Sequence, residues 1–388
     1  MAKLISITEA PDSSIVFANN PIVFKATTYY SLGEEESFLR IVCRATFTLN
    51  GAPSYYTGPT TFYEELSQPV GNMGTATFNL SDPAQTIIRN LIAQMDMEGG
   101  DALTSYSLAA EVNFEDVWIK DNQEISGVLE GLRPSASFRV VPGGLTDYEL
   151  FQTGLGNLAL ITSEGKVMTR KPDGGIVYAG EKMIVPTLRG GNDTDVTSNV
   201  RFYVGEEEIY RVANHVAGLK LSYQTASPVN KVTEGSFTFE SSLTGAISGY
   251  YRTNTRGVHF LRFINGFGAV ENIAVRAKDK LSYEVSGETH SLVQEISTRP
   301  TDRRYATKSQ PVGVYELSSG YVPVRWAEWY VQELLTSPRV WIQLGGKWVP
   351  ALIEAEDDCV IYDRTKPEMP HVDFTLRLAI DGVTGVTW

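Results

Sequence analysis

Three segments of this 388-residue chain alternate apolar and polar side chains with a period of two, and this pattern constrains the fold more than any other feature. They are residues 38–49, 106–114 and 372–380. A period of two places one face of a β-strand against a core and the other towards solvent. Each segment therefore predicts a half-buried strand. The predicted inward positions of the first segment are Leu39, Ile41, Cys43, Ala45, Phe47 and Leu49.

Helices are expected at only a few places. Residues 81–97 have apolar side chains at helical spacing, with Ser81 as the predicted N-cap and Gly99-Gly100 as the stop. A weaker pattern predicts a helix over residues 145–155. The predicted buried stripe of the first helix consists of Ile87, Ile88, Leu91, Ile92 and Met95.

The segment from residue 318 to 353 contains four of the six tryptophans. Its first part predicts a short amphipathic helix that buries Trp326, Trp329, Tyr330 and Leu334 and ends at Ser337-Pro338. Its second part predicts two strands joined by Gly345-Gly346, since both positions tolerate a positive φ. A helix on a hairpin is a packing unit, and the segment contains no catalytic motif.

Glycine and proline clusters divide the chain into three predicted regions. Residues 1–141 are expected to form a β-sandwich with one helix, and residues 142–257 a loop-rich β domain. Residues 258–388 are expected to form a β domain that contains the tryptophan-rich helix–hairpin unit. The predicted fold class is mainly β, with two or three antiparallel β-sandwich or β-rich domains and a few short helices.

The charge and the cysteine count exclude several classes of protein. The formal net charge of −13 argues against a nucleic-acid surface, which needs clustered Lys and Arg. Two cysteines, Cys43 and Cys359, are too few for a disulfide framework or a cysteine zinc site. The sequence shows no signal peptide and no apolar run long enough to span a membrane. Folding in a bacterial cytoplasm without export is therefore expected.

No sequence motif points to an enzyme or a cofactor. The four histidines occur outside any metal-binding frame, and no nucleophile elbow, Walker loop or dinucleotide fingerprint is present. The acidic run Glu354, Glu356, Asp357 and Asp358 is interpreted as an exposed hairpin tip rather than a cation site. The prediction is a protein with no enzymatic activity, no cofactor and no required metal.

One polar segment, residues 187–199, is predicted to be an exposed loop that becomes ordered in contact with other chains. It contains glycine and little apolar surface. The candidate interface residues are Thr187, Asn192, Asp193, Asp195 and Asn199.

Several segments resemble structural proteins of tailed bacteriophages and prophages of Bacteroides-like hosts. The resemblance spans most of the chain. The segments are FANNPIVF (17–24), PGGL (142–145), KPD (171–173), GE (180–181), QPVGVYELSSGYVPVRWAEW (310–329), Trp341 and GKWVP (346–350). The resemblance implies a virion component of the tail or baseplate, with copies of itself and other virion proteins as partners and no membrane.

A second hypothesis stays open at this point. An aromatic-rich β protein can also be a carbohydrate-binding or receptor-binding module that attaches to a host-surface glycan. A structural protein should have extended contact surfaces for other chains. A receptor-binding module should have a concave aromatic site in one domain.

Overall fold

The computed structural model describes residues 5–11, 15–95, 103, 106–127, 133–146, 149, 165–190, 194–227, 233–286, 289–291, 304–306, 310–355 and 369–379. The fold is mainly β, as the alternating segments predict. The predicted helix over residues 145–155 lies almost entirely outside the described residues.

The first region is a sandwich of two sheets. Its elements are β1 (Ile5–Glu9), β2 (Ile15–Phe17), β3 (Val23–Thr28), β4 (Glu36–Asn50), β5 (Thr61–Pro69), β6 (Thr75–Asn79), α1 (Ser81–Ala93), β7 (Ser107–Lys120), β8 (Gln123–Ser126) and β9 (Ser135–Val141). One sheet has the order β1-β3-β6 and the other β2-β9-β7-β4-β5, with β8 paired to β7. The sheets meet through aromatic rings, because Phe24 and Phe78 each lie within 6 Å of Phe114 (5.7 and 5.8 Å between centroids).

The alternation of apolar and polar residues predicts the inward face of β4 correctly. All six predicted inward side chains of this strand are buried. The prediction that Val42 faces solvent is wrong, since it is also buried. Val42 pairs with Glu115, which is itself buried beneath ion pairs with Arg44 and Arg133. The outer face is thus covered at this point.

Helix α1 buries the predicted stripe, but its first turn differs from the prediction. Ser81 is the first helical residue and makes no side-chain capping bond. Instead its backbone N–H donates to Asn79 Oδ1 at 3.1 Å. The helix ends at Ala93, earlier than predicted, and Gly99-Gly100 lies outside the described residues.

The second region is again two sheets. Its strands are β10 (Lys166–Val167), β11 (Gly175–Tyr178), β12 (Met183–Leu188), β13 (Val196–Val204), β14 (Glu207–Val216), β15 (Leu221–Ala226), β16 (Gly235–Ser241) and β17 (Gly245–Arg252). The sheet orders are β10-β12-β15 and β11-β17-β16-β13-β14. Between the sheets, the Gln224 side chain accepts hydrogen bonds from Ser198 and Ser241 and donates one to Thr187.

The third region is built on a closed antiparallel barrel. Its elements are β18 (Val258–Ile264), β19 (Val270–Ser286), β20 (Thr289–Ser291), β21 (Arg304–Ala306), β22 (Gln310–Ser318), α2 (Val324–Trp329), a π-helical segment (Tyr330–Leu335), β23 (Val340–Leu344), β24 (Lys347–Ala355) and β25 (Asp373–Leu378). The barrel order is β18-β19-β22-β25-β24-β23, and β20 pairs with β21.

The tryptophan-rich segment has the predicted organisation with one difference. Trp326, Trp329, Tyr330 and Leu334 are buried, and Gly345 and Gly346 adopt φ of 56° and 82° in the hairpin turn. The helix, however, is α-helical only to Trp329 and π-helical from Tyr330 onwards.

One buried cluster extends across all three regions, while the second region and the barrel also have core clusters of their own. Each sheet uses strands of a single predicted region, yet the core of the first sandwich continues beyond it. Side chains from the second region and the barrel join that core, among them Met168, Leu188, Leu221, Ile264, Val270 and Trp341. Independent folding of residues 1–141 stays a prediction, and an isolated fragment would expose this shared surface.

The predicted boundary Pro142-Gly143-Gly144 packs against the β18–β19 turn. Gly144 N–H donates to the Gly266 carbonyl at 3.0 Å. Gly143 has a φ of +76°, and a Cβ there would lie 2.0 Å from the carbonyl carbon of Phe267. Glycine is required at residue 143 because two backbones meet without room for a side chain.

Candidate functional site

One end of the first sandwich exposes three large apolar side chains, which we call the apolar tip. They are Tyr29, Phe38 and Met73, with exposed fractions of 54%, 78% and 65%. The core of this sandwich buries many other apolar side chains. Large apolar groups exposed together indicate a contact surface rather than a core defect.

The apolar tip is formed by the β3–β4 loop, the start of β4 and the loop before β6, and hydrogen bonds join the last of these to the other two. Val70 N–H donates to the Leu39 carbonyl at 2.9 Å, and Met73 N–H donates to the Tyr30 carbonyl at 3.1 Å. These bonds place the segment before β6 beside the segment between β3 and β4. Phe38 and Met73 therefore lie at the same end of the sandwich.

The backbone is strained at two residues of the apolar tip. Phe38 and Met73 have φ of 54° and 55°, in the left-handed region that disfavours side chains with a Cβ. Phe38 lies in a β-bulge, where the register of β4 and β7 shifts between Ser37 and Arg40. Strain and exposure at the same residue are typical of a functional surface.

The base of the apolar tip is rigid. The Tyr30 ring stacks on Trp118 with centroids 4.0 Å apart, and its hydroxyl donates to Glu36 Oε2 at 2.5 Å. Burial, followed by the interaction with Glu36, raises the pKa of Tyr30 to about 12. Tyr30 therefore stays protonated and keeps this hydrogen bond through the neutral range.

We expect Phe38→Gly to stabilise the fold despite the loss of a large side chain. Glycine removes a left-handed conformation that costs about 1–2 kcal/mol, and little buried area is lost. Phe38→Ala is the matched control, because it removes the ring and keeps the strain. Urea denaturation should place the glycine variant about 1 kcal/mol above the alanine variant. Equal stabilities would mean that residue 38 is unstrained.

The predicted interface loop is shorter than residues 187–199. Thr187 is buried in β12, where its hydroxyl accepts from Gln224 Nε2 at 2.9 Å, so its placement in an exposed loop is wrong. Asn199 lies within β13, on its exposed face. Thr187 belongs to a strand because the polar Gln224 network uses its hydroxyl between the sheets, and Asn199 belongs to one because it pairs with Ala213 of β14.

The remaining loop spans residues 189–195. Asp195 is exposed, whereas Asn192 and Asp193 lie outside the described residues. Arg189 is buried, donates to the Thr194 carbonyl, and accepts a backbone hydrogen bond from Leu219 at 2.9 Å. The start of the loop is thus fixed within the chain itself. Its ordering by other chains stays a prediction.

Two buried carboxyl groups line a cavity of about 260 Å³ between the second region and the barrel. Glu181 accepts a hydrogen bond from Tyr178 N–H at 3.0 Å. Glu271 accepts one from Asn265 Nδ2 through Oε1. Burial raises the pKa of both groups, and the nearby Lys171 ammonium partly opposes this. The cavity therefore disfavours the charged form of both carboxyl groups.

We expect Glu271→Gln to change how stability depends on pH. The folded-state pKa of Glu271 is raised above its ordinary value of 4.5, so its contribution to stability is present below pH 4.5 and is lost as pH rises through the folded pKa. As pH rises through the folded-state pKa, the free energy of unfolding of the variant should increase relative to that of the wild-type protein. Denaturant titrations at several pH values test this, with Glu206→Gln on an exposed turn as the control. A difference that does not change with pH would contradict it.

A second, aromatic cavity lies at the junction between β11, β19 and helix α2. Its volume is about 280 Å³, and its lining includes Tyr178, Tyr321, Trp326 and Tyr330. Tyr321 is exposed, while Trp326 donates its indole N–H to the Asp173 carbonyl at 3.2 Å. The other two rings, Tyr178 and Tyr330, are buried like Trp326.

The histidines and carboxylates are dispersed. His215 and His259 lie on separate strands, His371 contacts Tyr321 edge-on, and the side chain of His290 lies outside the described residues. Among the described residues, no three His, Cys, Asp or Glu side chains are placed to hold a metal ion. Glu354 is exposed on β24, and the rest of its acidic run is outside the described residues.

Cys43 is buried and carries a free thiol, and burial raises its pKa to about 12. A thiol that stays protonated is a poor nucleophile, as its inward position predicts. In the part of the chain that the structure describes, no helix has the length and apolar character needed to cross a membrane.

Sequence reasoning missed a half-buried arginine, Arg170, that joins the second region to the barrel. The Arg170 guanidinium contacts Glu333 at 2.7 Å, both oxygens of Glu149 at 2.9 and 2.6 Å, and the Gly144 carbonyl at 3.0 Å. It also lies 4.1 Å from the centre of the Phe267 ring. One signal was available, since Glu333 falls on the apolar stripe of the tryptophan-rich helix.

Comparison with known proteins adds little. No family model and no curated protein sequence matches the chain. Among solved structures it is similar to trypsin-activated alpha-2-macroglobulin from Escherichia coli, with 10% identity and a TM-score of 0.22, covering 96% of this chain and 21% of that one. It is also similar to Salmonella alpha-2-macroglobulin reacted with methylamine, with 9% identity and a TM-score of 0.21, covering 83% and 26%.

The chain therefore spans about a fifth to a quarter of these solved chains. At such TM-scores the likeness carries no argument about fold or function.

Proposed function

We propose that this chain is a non-enzymatic structural protein of a tailed-phage virion, a tail or baseplate component that acts by assembling with copies of itself and with other virion proteins. The apolar tip carries the proposal. A protein that works alone gains nothing from exposing Phe38 and Met73 in strained backbone. A protein that is repeated in an assembly buries such a surface at every contact.

The contact that we assign to the apolar tip is with a second copy of this chain. An apolar surface is chemically complementary to itself, and pairing of identical patches about a two-fold axis is the commonest form of oligomer contact. The core cluster that spans the three regions supports this role, and so do the Arg170 contacts, which join the second region to the barrel. A subunit whose regions are fixed to one another can hold its neighbours in a defined arrangement.

Removing the apolar surface without adding strain tests the proposal. Asparagine tolerates the left-handed region, so Phe38→Asn combined with Met73→Asn should preserve the fold. Sedimentation velocity over a range of protein concentrations should show self-association of the wild-type chain and its loss in the double variant. Leu352→Asn removes an exposed apolar side chain from the barrel and is the matched control. Equal association of all three proteins would refute a role for the apolar tip.

A second candidate function is attachment to a host-surface glycan or receptor. The observation that favours it is the aromatic cavity at Tyr178, Tyr321 and Trp326. Aromatic faces pack on the apolar faces of sugar rings, and a tyrosine hydroxyl can donate a hydrogen bond to a sugar hydroxyl or accept one from it. Screening the wild-type chain and a Tyr321→Ala variant against bacterial surface saccharides tests it, and binding that survives the substitution would argue against this cavity.

A further inference from the structure

A cavity of about 530 Å³ adjoins the aromatic cavity and is rich in arginine. Arg252, Arg256 and Arg276 line it, and Arg252, Arg276 and Tyr178 also line the aromatic cavity. The two cavities share these three lining residues, and we call them together the arginine cleft. It lies where the chain leaves the second region and enters the barrel.

Backbone hydrogen bonds fix the elements that carry the three arginines. Arg252 is the last residue of β17, and its carbonyl accepts from Ala179 N–H at 2.8 Å. Arg276 pairs with Val258 in the β18–β19 ladder. The next residue along β19 donates its N–H to the Gly257 carbonyl at 2.9 Å, which holds β19 beside Arg256. The three side chains therefore start from ordered backbone on two regions of the molecule.

The described lining of the arginine cleft has more positive than negative side chains. Among the described residues, none of its three arginines is ion-paired. Glu234 is the one carboxylate in the described lining, and its Oε1 accepts from the N–H and hydroxyl of Thr253 at 2.9 and 3.1 Å. Hydrogen bonds from Thr253 and, to a smaller extent, the nearby Arg252 charge lower the pKa of Glu234, so Arg252 is partly compensated. The surplus of arginine in this lining contrasts with a chain of formal net charge −13.

We propose that the arginine cleft binds a saccharide that carries a carboxylate group. The planar guanidinium fork matches a carboxylate in geometry and charge. The adjoining aromatic wall, with Tyr321 exposed, supplies an apolar surface for the sugar ring. The inference rests on the second candidate function, glycan attachment, and specifies its ligand class. It is independent of self-association through the apolar tip.

Isothermal titration calorimetry of the full chain with trigalacturonate tests the proposal. The fully methyl-esterified trisaccharide is the matched neutral probe, and inorganic phosphate is the probe for a simple anion. We expect trigalacturonate to bind, more weakly as salt is raised, and at least about tenfold more tightly than either comparison probe. Equal binding of the ester would show a saccharide site without charge recognition and would overturn the inference while leaving glycan attachment in place. Equal binding of phosphate would overturn the saccharide assignment.

Variants locate the site. Arg256→Gln and Arg276→Gln remove exposed side chains and should each weaken trigalacturonate binding about tenfold, with an unchanged thermal unfolding midpoint. Arg211→Gln, an exposed arginine on β14, is the matched control and should bind as the wild-type chain does. Absence of trigalacturonate binding, or binding that all three variants retain, would overturn the proposal. Loss of self-association has no bearing on this result.

Discussion

Replacing Arg170 by alanine is expected to destabilise the protein by about 3–5 kcal/mol, the cost of leaving a buried charge without its partner. The Glu333 carboxylate is 3% exposed and loses the guanidinium at 2.7 Å. Glu149 also loses both of its contacts with Arg170. Burial alone would raise the pKa of Glu149, but the hydrogen bonds from Arg170 and Thr146 outweigh it and the pKa is lowered. Chemical denaturation at neutral pH gives the free energy of unfolding.

Two further variants make this test specific. Arg40→Ala removes an exposed pair with Glu124 at 2.6 Å and should cost less than about 1 kcal/mol. Adding Glu333→Gln to Arg170→Ala should restore part of the loss, because it removes the uncompensated buried charge. A cost for Arg170→Ala no larger than that for Arg40→Ala would mean that this contact does not hold the regions together.

Replacing Ile41 by alanine is expected to cost about 2–4 kcal/mol. Ile41 is fully buried on the inward face of β4, so the substitution leaves a cavity in the sandwich core. Thr46→Ala on the other face of the same strand is the control and should cost less than about 1 kcal/mol. Urea unfolding midpoints compare the two. Equal costs would show that the faces of β4 contribute alike and that its alternation does not define the core.

Local patterns predicted the elements of this fold well. The alternation of residues 38–49 identified the buried face of β4, and Gly345-Gly346 identified a hairpin turn that is present. Each of these depends on residues near one another in the sequence. The period of the side chains and the freedom of glycine at positive φ are enough to define them.

Long-range features were not predictable in the same way. Closing the barrel pairs β18 with β23, and the Arg170–Glu333 contact joins residues 163 positions apart. No local pattern specifies which distant partner a strand or charge will meet. The strain at Phe38 also depends on a distant part of the chain, because the bulge in its pairing with β7 sets its φ. Thr187 was misplaced because its hydroxyl has a partner, Gln224, on another strand.

Sedimentation velocity of the wild-type chain at increasing salt concentration tests the proposed assembly most directly. Copies with a formal net charge of −13 repel one another, and salt screens that repulsion while leaving apolar contact intact. Association through Phe38 and Met73 should therefore strengthen as salt rises, and the Phe38→Asn/Met73→Asn variant should stay monomeric throughout. A wild-type chain that remains monomeric at every salt and protein concentration, or associates only at low salt, would contradict the proposal.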